Sequence, residues 1–417
     1  MNETVLVPDS SATPVAATAA SGVAVSGASP APLRVGVDAL RFVPCTDGRH
    51  ETLLRGMVRT LAATYQDDSF TVFANHEGSA ALAEDLRPFP NVTLVALPVD
   101  ASRPAACASQ ADRVLPKALH HNPIDVLWAP YGSLPSRLPV PGVVTYTVLP
   151  ADAVLPPPDR LPAFLHRFLD PSATRTLRTA ARLTVLSECT RQELLRRGDV
   201  RFDRTAVLPV AADEALDAPL PPDFLSDRMT ALLRNADPFL LALSDSHRDS
   251  GLPTLVEAFG KLSPDLPHRL VVVGRPGKGE EAFQKALTAR PCSDRITRLE
   301  YVSRKDLAAL LQMASAFVEP ALHESAGYSV VEAMASGVPV VATRADAIPE
   351  IGGEVLRYAD IGDAESLATA LRDILLLPLE VRAECVARQR DRARKFTWGR
   401  SAESLMALLR QSLSSRP

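Results

Sequence analysis

The sequence predicts an α/β protein built as two domains, each around a parallel sheet. Three observations lead there. At 417 residues the chain exceeds what one ordinary core organises. From Leu33 onward, short β-branched runs alternate with helical patterns, which is how a parallel sheet with crossover helices is written. Between Asp213 and Pro238 the alternation stops, with Pro219, Pro221 and Pro222 among acidic residues, and then begins again. The expected division is a first domain at 33–215, a linker at 216–238, a second domain at 239–395 and a terminal segment at 396–417.

Each element follows from its pattern. In the first half, strands are expected at Leu33–Asp38, Ser69–Ala74, Val92–Leu97, Ile124–Ala129, Gly142–Val148 and Arg182–Leu186. The run Glu51–Tyr65 places Leu53, Leu54, Met57, Val58 and Leu61 on one helical face. A short helix is expected at Thr190–Arg197. In the second half the strands are Phe239–Leu243, Arg269–Gly274, Ile296–Val302, Ala316–Glu319 and Pro339–Thr343. Helices start near Pro253, Glu280, Lys305 and Ser329, and further helices are expected at Asp363–Leu376, Leu379–Lys395 and Trp398–Leu413.

Composition excludes several classes. A balance of 45 Lys+Arg against 49 Asp+Glu is not the footprint of a general nucleic-acid binder. The five cysteines, Cys45, Cys107, Cys189, Cys292 and Cys385, are too scattered for a zinc knuckle or a disulfide framework, which points to a reducing cytoplasm. Apolar runs such as Phe239–Leu243 fall far short of the roughly 18 residues of a membrane span. Residues 1–32 lack Lys and Arg and are interrupted by Pro8, Pro14, Gly22 and Gly27, so they read as a disordered tail and not as a secretory signal.

The chemistry concentrates in Phe317–Thr343. Glu324 and Glu332 stand eight residues apart, with Gly327 between them, a strand before and a helix, Gly337 and a second strand after. Glu324 is expected in the loop at a strand's C-terminal end and Glu332 in the first turn of the next helix. That is where open α/β sheets bind ligands, and the helix N-terminus favours an anion such as a diphosphate. The bland alternative for Glu332 is a capping box with Ser329. Gly327 would let a phosphate or sugar approach its backbone.

This segment resembles the glutamate-seven-residues-glutamate motif of family 4 retaining glycosyltransferases. The likeness extends to Gly274 closing Leu270–Gly274, to Tyr301–Leu310, to Ile124–Pro130, to Leu186-Ser187-Glu188 and to Lys395-Phe-Thr-Trp398. It implies the GT-B architecture: two Rossmann-like domains facing across a cleft, with a C-terminal helix that crosses back to the first. It further implies that Glu332 binds the donor's ribose, that Glu324 orients the donor sugar, and that amides of Gly327, Tyr328, Ser329 and Val330 hold the diphosphate. No metal or other cofactor is expected, the helix dipole and basic side chains supplying the positive charge.

The chain departs from that pattern in places. The Arg and Lys that usually follow the opening strand of the second domain are replaced by Asp and Ser within Ser244–Leu252, leaving Arg248 and, after Gly274, Arg275 as substitutes. Thr147-Val148 stands where a His-Asp pair is usual, Ser329 replaces a proline and Ala326 an aromatic. On the acceptor side the candidates are Gly48, Arg49 and His50, the last reading first as a solvated loop histidine. The expectation is a retaining glycosyltransferase that moves a sugar from a nucleotide-diphosphate sugar to a glycan or lipid-linked acceptor in surface polysaccharide biosynthesis. It would work in the cytoplasm, with peripheral contact at the inner membrane face through Arg382, Arg388, Arg390, Arg392, Arg394 and Lys395 as the alternative to a solvated helix face. A scaffold subunit that binds without turnover is the rival, and a sugar-nucleotide 2-epimerase ranks below it.

Overall fold

The computed structural model describes residues 31–44, 48–147, 171–196, 200–213, 216, 226, 229–230 and 237–414. Residues 1–30 of the expected tail, most of the expected linker, and Val148 lie outside them.

Two parallel sheets organise the chain from Leu33. The first has the order β3-β2-β1-β4-β5-β6-β7, with β1 Arg34–Ala39, β2 Ser69–Asn75, β3 Val92–Leu97, β4 Val126–Ala129, β5 Gly142–Tyr146, β6 Arg182–Val185 and β7 Thr205–Val207. The second has the order β10-β9-β8-β11-β12-β13, with β8 Phe239–Leu243, β9 Arg269–Val273, β10 Ile296–Leu299, β11 Ala316–Glu319, β12 Val340–Thr343 and β13 Arg357–Ala359. Both orders reverse once, between β1 and β4 and between β8 and β11. Each sheet therefore carries a topological switch point.

The strands read as near-continuous apolar runs because both faces are covered. Leu241, Phe317, Val340 and Ala342 enter one core, whereas Leu240, Ala242, Val318 and Val341 enter another on the opposite face. The expected strands recur within a few residues. Two strands, β7 and β13, and the helices His76–Leu86, Pro104–His121, Pro171–Thr179 and Ile348–Gly352 were not anticipated. Pro104–His121 carries Pro116 within it, and such a residue normally signals a break. β7 and β13 are three-residue edge strands, too short to show a period.

The final helix, Trp398–Leu413, returns to the first domain as expected. Trp398 packs directly on Gly56, where an added Cβ would sit 2.3 Å from the indole. Ser401 Oγ donates to the Pro209 carbonyl at 2.7 Å, and Arg410 pairs with Asp68 at 2.8 Å. Asp68 is buried and also accepts the N–H of Leu33 at 2.6 Å, so one carboxylate ties the start of β1 to the chain's last helix.

Candidate functional site

The loop after β11 and the helix Tyr328–Ser336 form the centre of the site. Gly327 is the helix N-cap, with φ of 73°. Only glycine takes that conformation without strain, and a Cβ there would also meet Ile351 at 2.8 Å. Glu324 is buried, and its Oε1 accepts the N–H groups of Ala326 at 3.0 Å and Gly327 at 2.9 Å. The same oxygen accepts from Arg49 of the first domain at 3.2 Å. Arg49, expected on the acceptor side, thus reaches across to the motif's first glutamate. The next amides, of Tyr328, Ser329 and Val330, have no acceptor within the helix, as the first turn of any helix requires.

Glu332 lies in the second turn, since the helix starts at Tyr328. The capping box with Ser329 does not form. Glu332 Oε1 instead accepts from Arg304 at 2.9 Å, and Arg304 also reaches Asp213 at 3.2 Å. Ser329 Oγ donates to Glu319 Oε2 at 2.5 Å. Glu319 ends β11 and is buried. Burial, reinforced by the charge of Glu324, pushes its pKa up to about 7. Tyr328 is 6% exposed, its hydroxyl has no hydrogen-bond partner among the described residues, and burial with the nearby Glu332 raises its pKa.

His50 is not a solvated loop side chain. Its Nε2 is hydrogen-bonded to Thr147 Oγ1, and its ring stacks on Tyr131 with centroids 5.2 Å apart. The Thr147 carbonyl accepts from Ser325 Oγ at 3.0 Å. The place where a His-Asp pair was looked for therefore holds a threonine that links His50 to the motif loop. Further bonds cross the cleft. Ser187 Oγ and Thr190 Oγ1 both donate to the Ser325 carbonyl, at 2.7 and 2.9 Å, and the N–H of Glu188 is capped by Glu350 at 2.9 Å. Gly48 precedes the helix Arg49–Thr64 as its N-cap, with φ of 45°.

The loops after β8 and β9 are zipped together. The N–H of Arg275 donates to Asp245 Oδ1 at 2.6 Å, and that of Ser246 to the Arg275 carbonyl at 2.9 Å. Gly274 is required there, because a Cβ would lie 2.0 Å from the Ser244 carbonyl oxygen. The β8 loop is joined in turn to the motif loop, the N–H of Leu322 donating to the Asp249 carbonyl at 2.9 Å. Arg248 is exposed on this loop and forms no ion pair among the described residues.

Sequence reasoning missed Glu319 and Arg304. Glu319 had a legible signal, a charge closing an otherwise apolar strand. Arg304 had none of its own. It is the first residue of the helix Arg304–Met313, which Ser303 caps by accepting the N–H of Asp306 at 3.0 Å. The basic cluster of the helix Leu379–Ala393 is largely bound to carbonyls. Arg382 donates to Ser315, Arg390 to Ser336 at 3.2 Å and Arg392 to Ile351 at 2.8 Å. Among the described residues no helix is long and apolar enough to cross a membrane.

A two-domain α/β chain with its site at the second sheet's switch point defines a GT-B-type molecule, and comparison with known proteins agrees. Solved structures with this fold include HepE of Anabaena in complex with UDP-glucose. That likeness has a TM-score of 0.69 at 17% identity and covers 92% of this chain and all of the other. Sucrose-phosphate synthase of Thermosynechococcus elongatus gives 0.70 at 17%, with the same coverage. The family model described as "Glycosyl transferases group 1" matches residues 226–392. Relatives in sequence include an MMP α-(1→4)-mannosyltransferase of Mycolicibacterium hassiacum, 27% identical over 58% of this chain. A D-inositol 3-phosphate glycosyltransferase of Saccharomonospora viridis is 30% identical over 57%. The chain spans 56% and 57% of those relatives' own length. The resemblance to family 4 is thus borne out as a resemblance: the chain has the GT-B architecture, and its residues 226–392 match the group 1 glycosyl transferase model.

Proposed function

We propose that the protein is a metal-independent retaining glycosyltransferase, taking its sugar from a nucleotide-diphosphate donor. The observation that carries this reading is the frame around the Tyr328–Ser336 helix. Glu324 and Glu332 are both buried there, each held by an arginine, beside a helix N-terminus at the switch point. In this reading Glu332 takes the ribose hydroxyls, a charged acceptor making strong bonds in a dry cleft. Amides of Tyr328 to Val330 take the diphosphate, and Glu324 with Arg49 faces the donor sugar. In this reading Arg248 and Arg275 serve the leaving phosphate. That phosphate would itself accept the acceptor's proton in a front-side displacement, so no strong protein base is needed.

The acceptor in this reading is a glycan or lipid-linked hydroxyl on the first-domain side, near Gly48, Arg49 and His50; relatives named as mannosyltransferases and inositol glycosyltransferases support an acceptor of the hydroxyl class. A role in surface polysaccharide synthesis, at the cytoplasmic membrane face, belongs to the same proposal. The second reading is a binding subunit without turnover. It is favoured by one observation: Asp245, not a cation, contacts the Arg275 backbone in the loop that would meet the leaving group.

A thermal-shift screen with UDP-, GDP- and dTDP-sugars tests the proposal. One nucleotide should raise the melting temperature, and Glu332→Ala should abolish the rise. Transfer to a hydroxyl acceptor in the presence of EDTA supports the enzyme, whereas binding with neither transfer nor release of nucleoside diphosphate supports the subunit. A shift that survives Glu332→Ala contradicts the assigned site.

A further inference from the structure

Glu319 is not part of the two-glutamate motif, yet it reaches that site through Ser329, the second residue of the helix. Facing a carboxylate, a serine hydroxyl must point its single proton at it. Ser329 then shows only lone pairs to whatever lies at the helix N-terminus, and a phosphate oxygen, which has no proton to offer, is repelled. If Glu319 is protonated the bond reverses. The carboxyl O–H donates to Ser329 Oγ, and the serine hydroxyl turns to donate to the phosphate.

We infer that binding of the donor's diphosphate draws one proton from solvent onto Glu319, with Ser329 relaying its effect to the phosphate. The inference rests on the donor-binding reading above and makes Glu319 a positioning residue. No substrate bond changes: a buffer acid loses the proton and a carboxylate oxygen gains it. The groups facing Glu319 are few. Glu324, from the following loop, opposes its ionisation, and Arg49, from the first-domain helix, favours it, as do the Ser329 hydroxyl and the backbone of Ala321. Of the other nearby carboxylates, Glu332 is turned to Arg304, and Asp346 to the N–H of Glu324 and to His323. Burial already leaves Glu319 poised near neutrality, so an added anion is enough to tip it.

The test is calorimetric titration with UDP-glucose and GDP-mannose, whose diphosphates do not themselves titrate between about pH 6 and 8.5. Measurements run across that range in HEPES and in Tris. The expected result for the sugar nucleotide that binds is an affinity falling toward tenfold per pH unit above about pH 7. The difference in heat between buffers should correspond to uptake approaching one proton at about pH 8. Glu319→Gln should bind with a flat profile and no uptake. Ser329→Ala, which keeps the carboxyl but removes the relay, should bind more weakly and also lose the slope, so a poorly folding glutamine variant does not block the test. Binding by the native protein with a flat profile and no uptake overturns the inference and leaves the donor site standing. An undiminished slope in Glu319→Gln or in Ser329→Ala overturns it as well. Failure of UDP-glucose, GDP-mannose and a dTDP-sugar alike to bind at any pH overturns the donor reading and the inference together.

Discussion

Arg304 and Arg49 do the same job from opposite sides of the cleft. Each places a guanidinium on a buried glutamate of the motif, Glu332 at 2.9 Å and Glu324 at 3.2 Å. Both arginines are partly exposed, so their worth to stability is modest, but what they leave behind when removed is not. Arg304→Ala should lower stability by about 1–2 kcal/mol in a urea titration, because Glu332 is then buried without its cation. Arg49→Ala should leave the nucleotide-dependent thermal shift in place while lowering transfer on the order of 100-fold, the loss expected for one preorganised charge at the reacting centre. Glu324 and Glu332 were legible in the sequence because two carboxylates bracketing a glycine between strand and helix have a local pattern. Their partners were not, since Arg49 is 275 residues from Glu324 and Arg304 is 28 from Glu332. Pairing at such separations is a product of the fold.

At the scale of elements, the motif loop is held by its backbone as much as by side chains. Gly327 sets the entry angle of the Tyr328–Ser336 helix, and Arg390 closes the other end on the Ser336 carbonyl. Asp346, with φ of 36°, is the one non-glycine residue with positive φ among the described residues, and it accepts the N–H of Glu324. A strained residue bonded to a motif carboxylate's backbone fits a site whose shape is imposed. Gly327→Ala should therefore destabilise the chain by about 1–3 kcal/mol and abolish the nucleotide-dependent shift, both readable in one melting experiment. In the second domain β8, β11 and β12 were legible almost residue for residue, because they are buried on both faces and read as unbroken apolar runs. The helices His76–Leu86 and Pro104–His121 were not. The first starts on Asn75, the last residue of β2, whose side chain caps it by accepting from Gly78 at 2.8 Å, and the second tolerates an internal proline.

At the scale of the whole molecule, two carboxyl groups among the described residues have pKa values raised toward neutrality, the buried Glu319 and the half-buried Asp38. Burial raises Glu319 to about 7 and Asp38 to about 6, both above the ordinary carboxylate range. The folded chain thus holds protons that the unfolded chain has released. The stability these groups contribute is fully present below about pH 4 and is lost as pH rises through 6 and 7. The melting temperature should fall between pH 5 and 8, and Glu319→Gln should flatten that fall. A fall of equal depth in the variant assigns the effect elsewhere. The same scale explains why the crossing final helix was readable only through a family likeness: its anchors, Gly56, Asp68 and Pro209, lie some 190 to 340 residues upstream.

The most direct measurement is a crystal structure with the sugar nucleotide that raises the melting temperature. The account requires the ribose hydroxyls on Glu332 and a phosphate oxygen within hydrogen-bonding distance of the Tyr328, Ser329 or Val330 amide, with Arg248 or Arg275 turned to the diphosphate. A nucleotide seated elsewhere, or phosphates that meet no amide of this helix, would contradict it.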